Sequence, residues 1–378
     1  MRTALTEMLG IEHPLVGFNR SPAVVAAVTN AGGLGVLAES MYTPTELDAQ
    51  LRWIEEQVDG RPYGVDLLVP GTFAAGDPDD LVASLRAQIP EAHRAFVDGL
   101  LAEYGVPGGA ADADDLDEVV AAINPAGAEA LLDVAFSHRI AMVANALGPP
   151  PASLVRRAHA DGVVVASLVG QHKHAVRQIE AGVDVLVAQG TEAGGHTGTV
   201  ATTVLTPEIV DAAGGRPVLS AGGIASGAQM AAALALGAAG VWCGSVWLAS
   251  HEDITSMPIK EKFLAAGSTD TLRSPTMTGK PARQLRSAWH DAWDRPDAPL
   301  PLPLPLQPML AGRAWNRIHD AAADGHAGAA ALDSYFIGQV VGSFDRLRPA
   351  GEIARDMVED CERRLRALGE LAATPSAP

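Results

Sequence analysis

A chain of 378 residues with 45 acidic against 27 basic side chains, net −18, is electrostatically opposed to nucleic acid and to anionic membrane surfaces. Hydrophobic residues make up 48% and aromatics only 4%, with 39 glycines, which excludes a disordered chain and suits Ala/Val/Leu helices on parallel strands. Cys243 and Cys361 are the only cysteines, too few for a disulfide framework or a CxxC metal site, so a cytoplasmic location is expected.

Met1–Glu7 carries an early acidic residue and no apolar run, so no signal peptide is expected there. His13–Phe18 reads as the first strand. Ser21 caps the helix that follows to Asn30, with Pro22 at its first position. Gly35–Ala38 is the second strand, Thr45–Val58 an amphipathic helix, and Gly64–Val69 the third strand. Residues Pro70–His138 are acidic and far longer than one crossover needs, with helix-like stretches at Glu91–Tyr104 and Leu116–Ile123. Because they follow the C-terminal end of a strand, they are expected to form a helical lid or side wall. The strands continue with Ile140–Asn145, Val163–Leu168, Val183–Ala188, Pro217–Ala221 and Gly240–Cys243.

Ala231–Ala249 is 19 residues without a charged side chain and could pass for a membrane span. Gly237, Gly240 and Gly244 interrupt it, so it reads as a buried helix feeding the eighth strand. Eight strands alternating with helices, and no hairpin signal, predict an α/β fold: a closed (β/α)8 TIM barrel with a helical insertion after strand three and a C-terminal helical extension. An open doubly wound sheet is the competitor. Gly32-Gly33-Leu34-Gly35 cannot rescue it, since it sits at a helix-to-strand junction where a dinucleotide loop needs the reverse. Residues 1–295, with insert 70–138, are expected to be the barrel. Residues 296–378 are expected to be a connector and packing helices. Pro296–Pro308 has six prolines in 13 positions and reads as semi-rigid and non-helical. Leu310–Ala323, Gly328–Leu347 and Ala350–Leu371 read as helices, and Ala373–Pro378 as a frayed tail.

Polar and glycine-rich groups collect after three strands. After strand six, four glycines fall among residues 190–198, with Gln189, Glu192 and His196 in the same turn. Glycine at that density lets backbone N–H groups approach a ligand, and a His at a strand's C-terminal end is placed as a catalytic residue would be. Gly222-Gly223 follows strand seven and Gly244-Ser245 follows strand eight. In barrels those two loops commonly hold a phosphate on N–H groups, and Ser245 adds a hydroxyl. His172 and His174 could pair on a metal, but no third ligand is evident and no metal is expected. Cys243 reads as a small buried hydrophobe.

The run Gln189-Gly190-x-Glu192-Ala193-Gly194-Gly195-His196-x-Gly198, with Ala221-Gly222-Gly223-Ile224 and Gly244-Ser245, resembles the nitronate monooxygenase (2-nitropropane dioxygenase-like) family of FMN-dependent barrels. Thr278–Ser287 is similar to that family's GxxAR segment, and Tyr335–Gly342 to its GQ-containing loop. The resemblance implies FMN, with its phosphate on Gly222, Gly223, Gly244 and Ser245. Gln189, Gly194 and Gly195 would face the rest of the cofactor, and His196 would be the catalytic base. The expected partners are then a small-molecule substrate and O2, with neither nucleic acid nor membrane, and a homodimer as an open assembly. The reaction implied is oxidation of nitronates or nitroalkanes. An enoyl or acyl-thioester reductase or dehydrogenase is the alternative, and a phosphate-ligand barrel without redox chemistry a third. The N-terminal third departs from the family. Gly17-Phe18-Asn19-Arg20 replaces an Ala-Pro-Met type sequence and Asp66 replaces Asn. Asn19 and Asp66 would then border the cofactor, with Arg20 as a partner for Asp66.

Overall fold

A computed structural model describes residues 1–38, 42–67, 78–108, 125–146 and 148–373. Eight parallel strands close into a barrel: β1 (Leu15–Asn19), β2 (Leu34–Ala38), β3 (Gly64–Leu67), β4 (Met142–Asn145), β5 (Val164–Val169), β6 (Val185–Gln189), β8 (Val218–Ala221) and β9 (Gly240–Cys243). β9 pairs back onto β1, Val16 opposite Trp242, which completes the ring. A short β7 (Gly195–His196) leaves the barrel after β6 and joins β10 (Thr271–Ser274) and β11 (Ala282–Leu285) in a small sheet of its own.

The strand pleat sorts side chains into two cores. Val16, Val36, Val187, Leu219 and Trp242 fill the barrel interior, while Leu37, Val65, Val143 and Leu186 meet the surrounding helices. At Gly35 an added Cβ would lie 2.1 Å from the Val25 carbonyl oxygen, so the helix Pro22–Asn30 can rest on β2 only because no side chain stands between them.

The closed barrel and its strand order agree with the sequence reading; the Ser21 hydroxyl, expected to cap the helix Pro22–Asn30, instead donates to Glu252 O at 2.6 Å, and four further details differ. First, the chain does contain a hairpin, β10–β11, paired antiparallel with Arg273 opposite Arg283. Its strands are four residues each, and Arg and Gln interrupt the apolar alternation that signals a strand. Second, the helix Leu306–Ala323 begins inside the proline-rich connector. Pro308 falls in its first turn, where a missing N–H costs nothing. Third, the helix expected over Gly328–Leu347 is only Ala327–Leu332. Beyond it, Phe336 bridges to Gln284 and residues Gln339–Ser343 form a 3-10 turn, so its apolar residues serve loop packing. Fourth, the helix Pro44–Val58 starts one residue early, capped by Thr43 with Glu46 reciprocating.

The insert contributes helices Pro78–Ala87, Glu91–Glu103 and Pro125–Ser137, while the stretch expected at Leu116–Ile123 lies outside the described residues. Val97, Leu100 and Leu101 share a core with Trp289, Trp293 and Trp315, so this part of the insert leans on the helices beyond the barrel. Ala231–Ala249 resolves into the end of the helix Gly227–Ala235, then β9, then a 3-10 turn, Ser245–Ala249. Among the described residues, no helix is long and apolar enough to cross a membrane.

Candidate active site

The candidate site is the C-terminal rim of the barrel, where the turn after β6 meets the ends of β8, β9 and β1. Val185 and Val187 point into the interior, so the pleat brings Gln189 to the same side at the mouth. Gly190 lets the chain turn under the helix Thr202–Ala212, because a Cβ there would lie 2.1 Å from Thr202 Oγ1. The Glu192 carboxylate accepts from Thr202 N–H at 3.0 Å and from Thr202 Oγ1 at 2.8 Å. It therefore caps that helix and is not poised as a base.

Gly194 accepts the loop that carries Tyr335 and Phe336. A Cβ at Gly194 would stand 2.9 Å from the backbone of Ile337 and Gly338. Gly338 N–H donates to Ser245 Oγ at 2.8 Å and Gln339 N–H to Glu192 O at 2.9 Å. The loop is thus tied both to the β6 turn and to the end of β9. Ser245 Oγ accepts from Gly338 and keeps its own proton to donate. Gly222 and Gly223, next to it across the β8–β9 pairing, both have left-handed φ, +96° and +71°. A Cβ on Gly222 would press on Thr202 Oγ1 at 3.0 Å and on Gly190 O at 3.1 Å. Only glycine makes that turn.

His196 sits on β7, paired with Ala282 of β11, and is exposed at the mouth. Its Nε2 is 2.8 Å from Thr278 Oγ1, and that hydroxyl donates its single proton to Lys280 O at 3.1 Å. Thr278 must therefore accept from Nε2–H, which fixes the neutral tautomer and leaves Nδ1 as a lone-pair acceptor. Although the ring edge is exposed, the protein packed around it desolvates the imidazolium. That burial, with the charge of Lys280 second, lowers the His196 pKa below 6.5.

Arg283 Nε donates to Thr191 O at 2.8 Å and Arg273 Nη2 to Thr197 O at 2.6 Å, so two guanidiniums pin the backbone on either side of His196. Thr278, Arg273 and Arg283 were not assigned roles from sequence. They lie roughly 75–90 residues beyond His196, and only the register of β7 on β11 brings them to it.

At the end of β1 the structure corrects the sequence reading. Asn19 does not face the mouth. Its Nδ2 donates to Asp253 Oδ2 at 2.9 Å and its Oδ1 accepts from Ser21 N–H at 2.7 Å, so it braces the loop after β9. Arg20 does not pair with Asp66, because its guanidinium lies over the Tyr335 ring, 5.2 Å from the centroid, and hydrogen-bonds the hydroxyl. Asp66 is buried on β3, opposite Ala144 of β4. Burial pushes the Cys243 thiol well up, which removes it as a nucleophile. His172 and His174 open the helix His172–Glu180, and no group of three or more metal-ligating side chains occurs among the described residues.

Comparison with known proteins adds four findings. The profile of the family described as nitronate monooxygenase matches residues 2–360. A Mycobacterium tuberculosis H37Rv protein that carries only a provisional monooxygenase name, Rv1533, is 54% identical over 95% of this chain and 96% of its own. The Rhodococcus jostii (3aS,4S,5R,7aS)-5-hydroxy-7a-methyl-1-oxo-octahydro-1H-indene-4-carboxyl-CoA dehydrogenase is 30% identical over 99% of both chains. Among solved structures, nitroalkane oxidase from Streptomyces ansochromogenes superposes with a TM-score of 0.77, at 27% identity, covering 97% of this chain and all of that one.

Proposed function

The chain belongs to the nitronate monooxygenase family and is an oxidoreductase of that type, and from this we propose an FMN-dependent enzyme that oxidises alkyl nitronates and nitroalkanes with O2. The observation that carries the reading is His196 at the barrel mouth, its Nε2–H held by Thr278 and its Nδ1 left as acceptor.

The rim after β8 and β9 suits a flavin phosphate. Gly222 and Gly223 take left-handed conformations that turn backbone towards the rim without a side chain to block approach. Ser245 retains a hydroxyl proton to donate, and Gln189 is brought to the mouth by the pleat. When bound, FMN would supply the two-electron oxidation and pass the electrons to oxygen.

The protein's own part is proton chemistry and placement. In a neutral nitroalkane the α-C–H bond breaks, the proton passes to His196 Nδ1, and the electron pair delocalises onto the nitro group. A His pKa below its ordinary value keeps Nδ1 unprotonated at neutral pH, as a general base requires. Thr278 keeps the ring from rotating, and Arg273 and Arg283 hold the turn that presents it. The test is oxygen consumption by purified protein with 2-nitropropane and with its pre-formed nitronate, alongside identification of the released chromophore. Protein that carries no flavin, or that consumes no oxygen with either substrate, rejects the proposal.

The relative named as a carboxyl-CoA dehydrogenase, matching over nearly the whole chain, favours a second reading. In that reading the site works on an acyl thioester, and His196 gives or takes a proton beside the carbonyl. Anaerobic reduction of the bound chromophore by NADH or NADPH, or by an acyl-CoA, would separate this reading from the first.

A further inference from the structure

Arg20 is a cation that the mechanism above leaves unused. Val16 and Phe18 of β1 point into the barrel with Trp242, and Arg20 follows at the next inward position, at the mouth. Its place is over-determined. The Tyr42 hydroxyl donates to the Arg20 carbonyl at 2.9 Å, the Tyr335 ring lies beneath the guanidinium, and the Tyr335 hydroxyl accepts from Nη2. Among the described residues, no carboxylate comes within ion-pair distance of the guanidinium. The nearest acidic influence, Asp253, is committed to Asn19 Nδ2 through Oδ2 and to Thr255 N–H through Oδ1.

A guanidinium has five N–H donors in a planar fork, and here one of them meets a neutral hydroxyl. Holding a largely enclosed cation without a counter-ion is costly, and the arrangement makes sense where an anion joins it during the working cycle. Tyr335 connects this cation to the base. Its ring is 6.4 Å from that of Phe336, which is 6.2 Å from the His196 ring, so the segment Tyr335–Phe336 touches the surroundings of both groups.

We infer that Arg20 is a substrate anchor that binds the planar, negatively charged O–N–O end of the substrate in the manner of a carboxylate. The inference rests on the proposed nitronate chemistry for the identity of the anion. A planar oxyanion matches the fork through two parallel N–H···O bonds, which lysine cannot reproduce. Placed there, the guanidinium favours an anionic nitronate over a neutral nitroalkane.

The test uses propionate, the unreactive carboxylate counterpart of ethylnitronate, titrated into flavin-loaded protein and followed by the flavin spectrum. The wild type should bind propionate. Arg20→Met should weaken it roughly ten- to a hundredfold at unchanged flavin content. Arg20→Lys should lose less than Arg20→Met, and Tyr335→Phe, which removes the Nη2 partner, should lose less again. With pre-formed ethylnitronate, Arg20→Met should raise KM by more than it lowers kcat. Wild-type protein that does not bind propionate overturns the assignment, as does Arg20→Met binding it normally. Arg20→Met and Arg20→Lys that fold but lose flavin would make Arg20 a cofactor residue, which also overturns it. Propionate binding needs no turnover, so an enzyme that binds propionate through Arg20 but does not oxidise nitronates refutes the substrate and not the anchor.

Discussion

His196 and Thr278 divide one task between them, and each half can be removed alone. His196→Asn deletes Nδ1 as a base, and activity on neutral 2-nitropropane should fall by about 10² to 10⁴. The pre-formed nitronate needs no deprotonation and should keep much of its rate, with flavin content unchanged. Equal loss on both substrates would make His196 an orienting group. Thr278→Val leaves the imidazole but removes the acceptor of Nε2–H, so the ring can take the other tautomer. A smaller loss, on the order of tenfold and again confined to the neutral substrate, is expected. The pH profile carries a sign. Burial, then Lys280, lowers the His196 pKa, so the acid limb of kcat/KM for the nitroalkane should lie below pH 6.5. Lys280→Gln removes the cation and should shift that limb upward. An unmoved or downward limb would mean that Lys280 does not act on His196. Of this site, His196, Gln189 and the glycines could be read from sequence because their spacing is local. Thr278 could not, since nothing within 80 residues of His196 announces it. Asn19 misled for a related reason: its position at the end of β1 was correct, but one residue of pleat decides whether a side chain faces the mouth or the outside.

At the scale of elements, the two glycines after β8 are a turn that no other residue can make. Gly222→Ala would place a methyl 3.0 Å from Thr202 Oγ1 in a left-handed backbone, at a strain of roughly 1–2 kcal/mol before any clash. Gly223→Leu, at φ +71°, should empty the flavin site while the barrel still folds. Full flavin content in purified Gly223→Leu, measured by absorbance, would remove the phosphate from this rim. The helix Ala288–Trp293 offers a different element-scale prediction. His290 Nδ1 accepts from Ser287 N–H at 3.1 Å, closing a capping box that requires the neutral ring. Burial holds its pKa down to about 4, against 6.5 in the unfolded chain. The unfolded chain therefore takes up this proton first as the pH falls. Stability is highest above pH 6.5 and should drop by roughly 3 kcal/mol on the way to pH 4. His290→Asn should flatten that part of the curve in denaturant titrations, and an unchanged slope would place the acid sensitivity elsewhere. The Thr43–Glu46 cap was passed over in the sequence reading, though Pro22 at the first position of the helix Pro22–Asn30 was visible because that signal is local. The β10–β11 hairpin was not, because its pairing is specified by β7 and the turn it holds rather than by its own alternation.

At the scale of the whole molecule, the barrel was legible because its strands are buried on both faces and read as unbroken apolar runs. The role of the C-terminal extension was not, because an amphipathic helix says that it has an apolar face but not what covers it. In the structure, Ala350–Ala373 lays Ile353, Met357 and Val358 against Val24, Val28, Met230 and Ala231, on the outside of β1 and β9. The fit is close: a Cβ on Gly227 would come within 2.4 Å of Cys361 N. Each of those three side chains contributes about 1.5–3 kcal/mol by burial, a sum comparable with the 5–15 kcal/mol that holds a domain together. Ending the chain at Pro349 should therefore leave an aggregating protein, without any change to the rim residues themselves. The end of the same helix is the control. Leu368 and Leu371 are 50% and 74% exposed, so ending the chain at Arg366 removes little buried surface. That shorter truncation should melt within a few degrees of the full chain and keep its flavin. If both truncations behave alike, whether both intact or both aggregated, the stabilising contact is not the one between Ile353–Val358 and the helices Pro22–Asn30 and Gly227–Ala235.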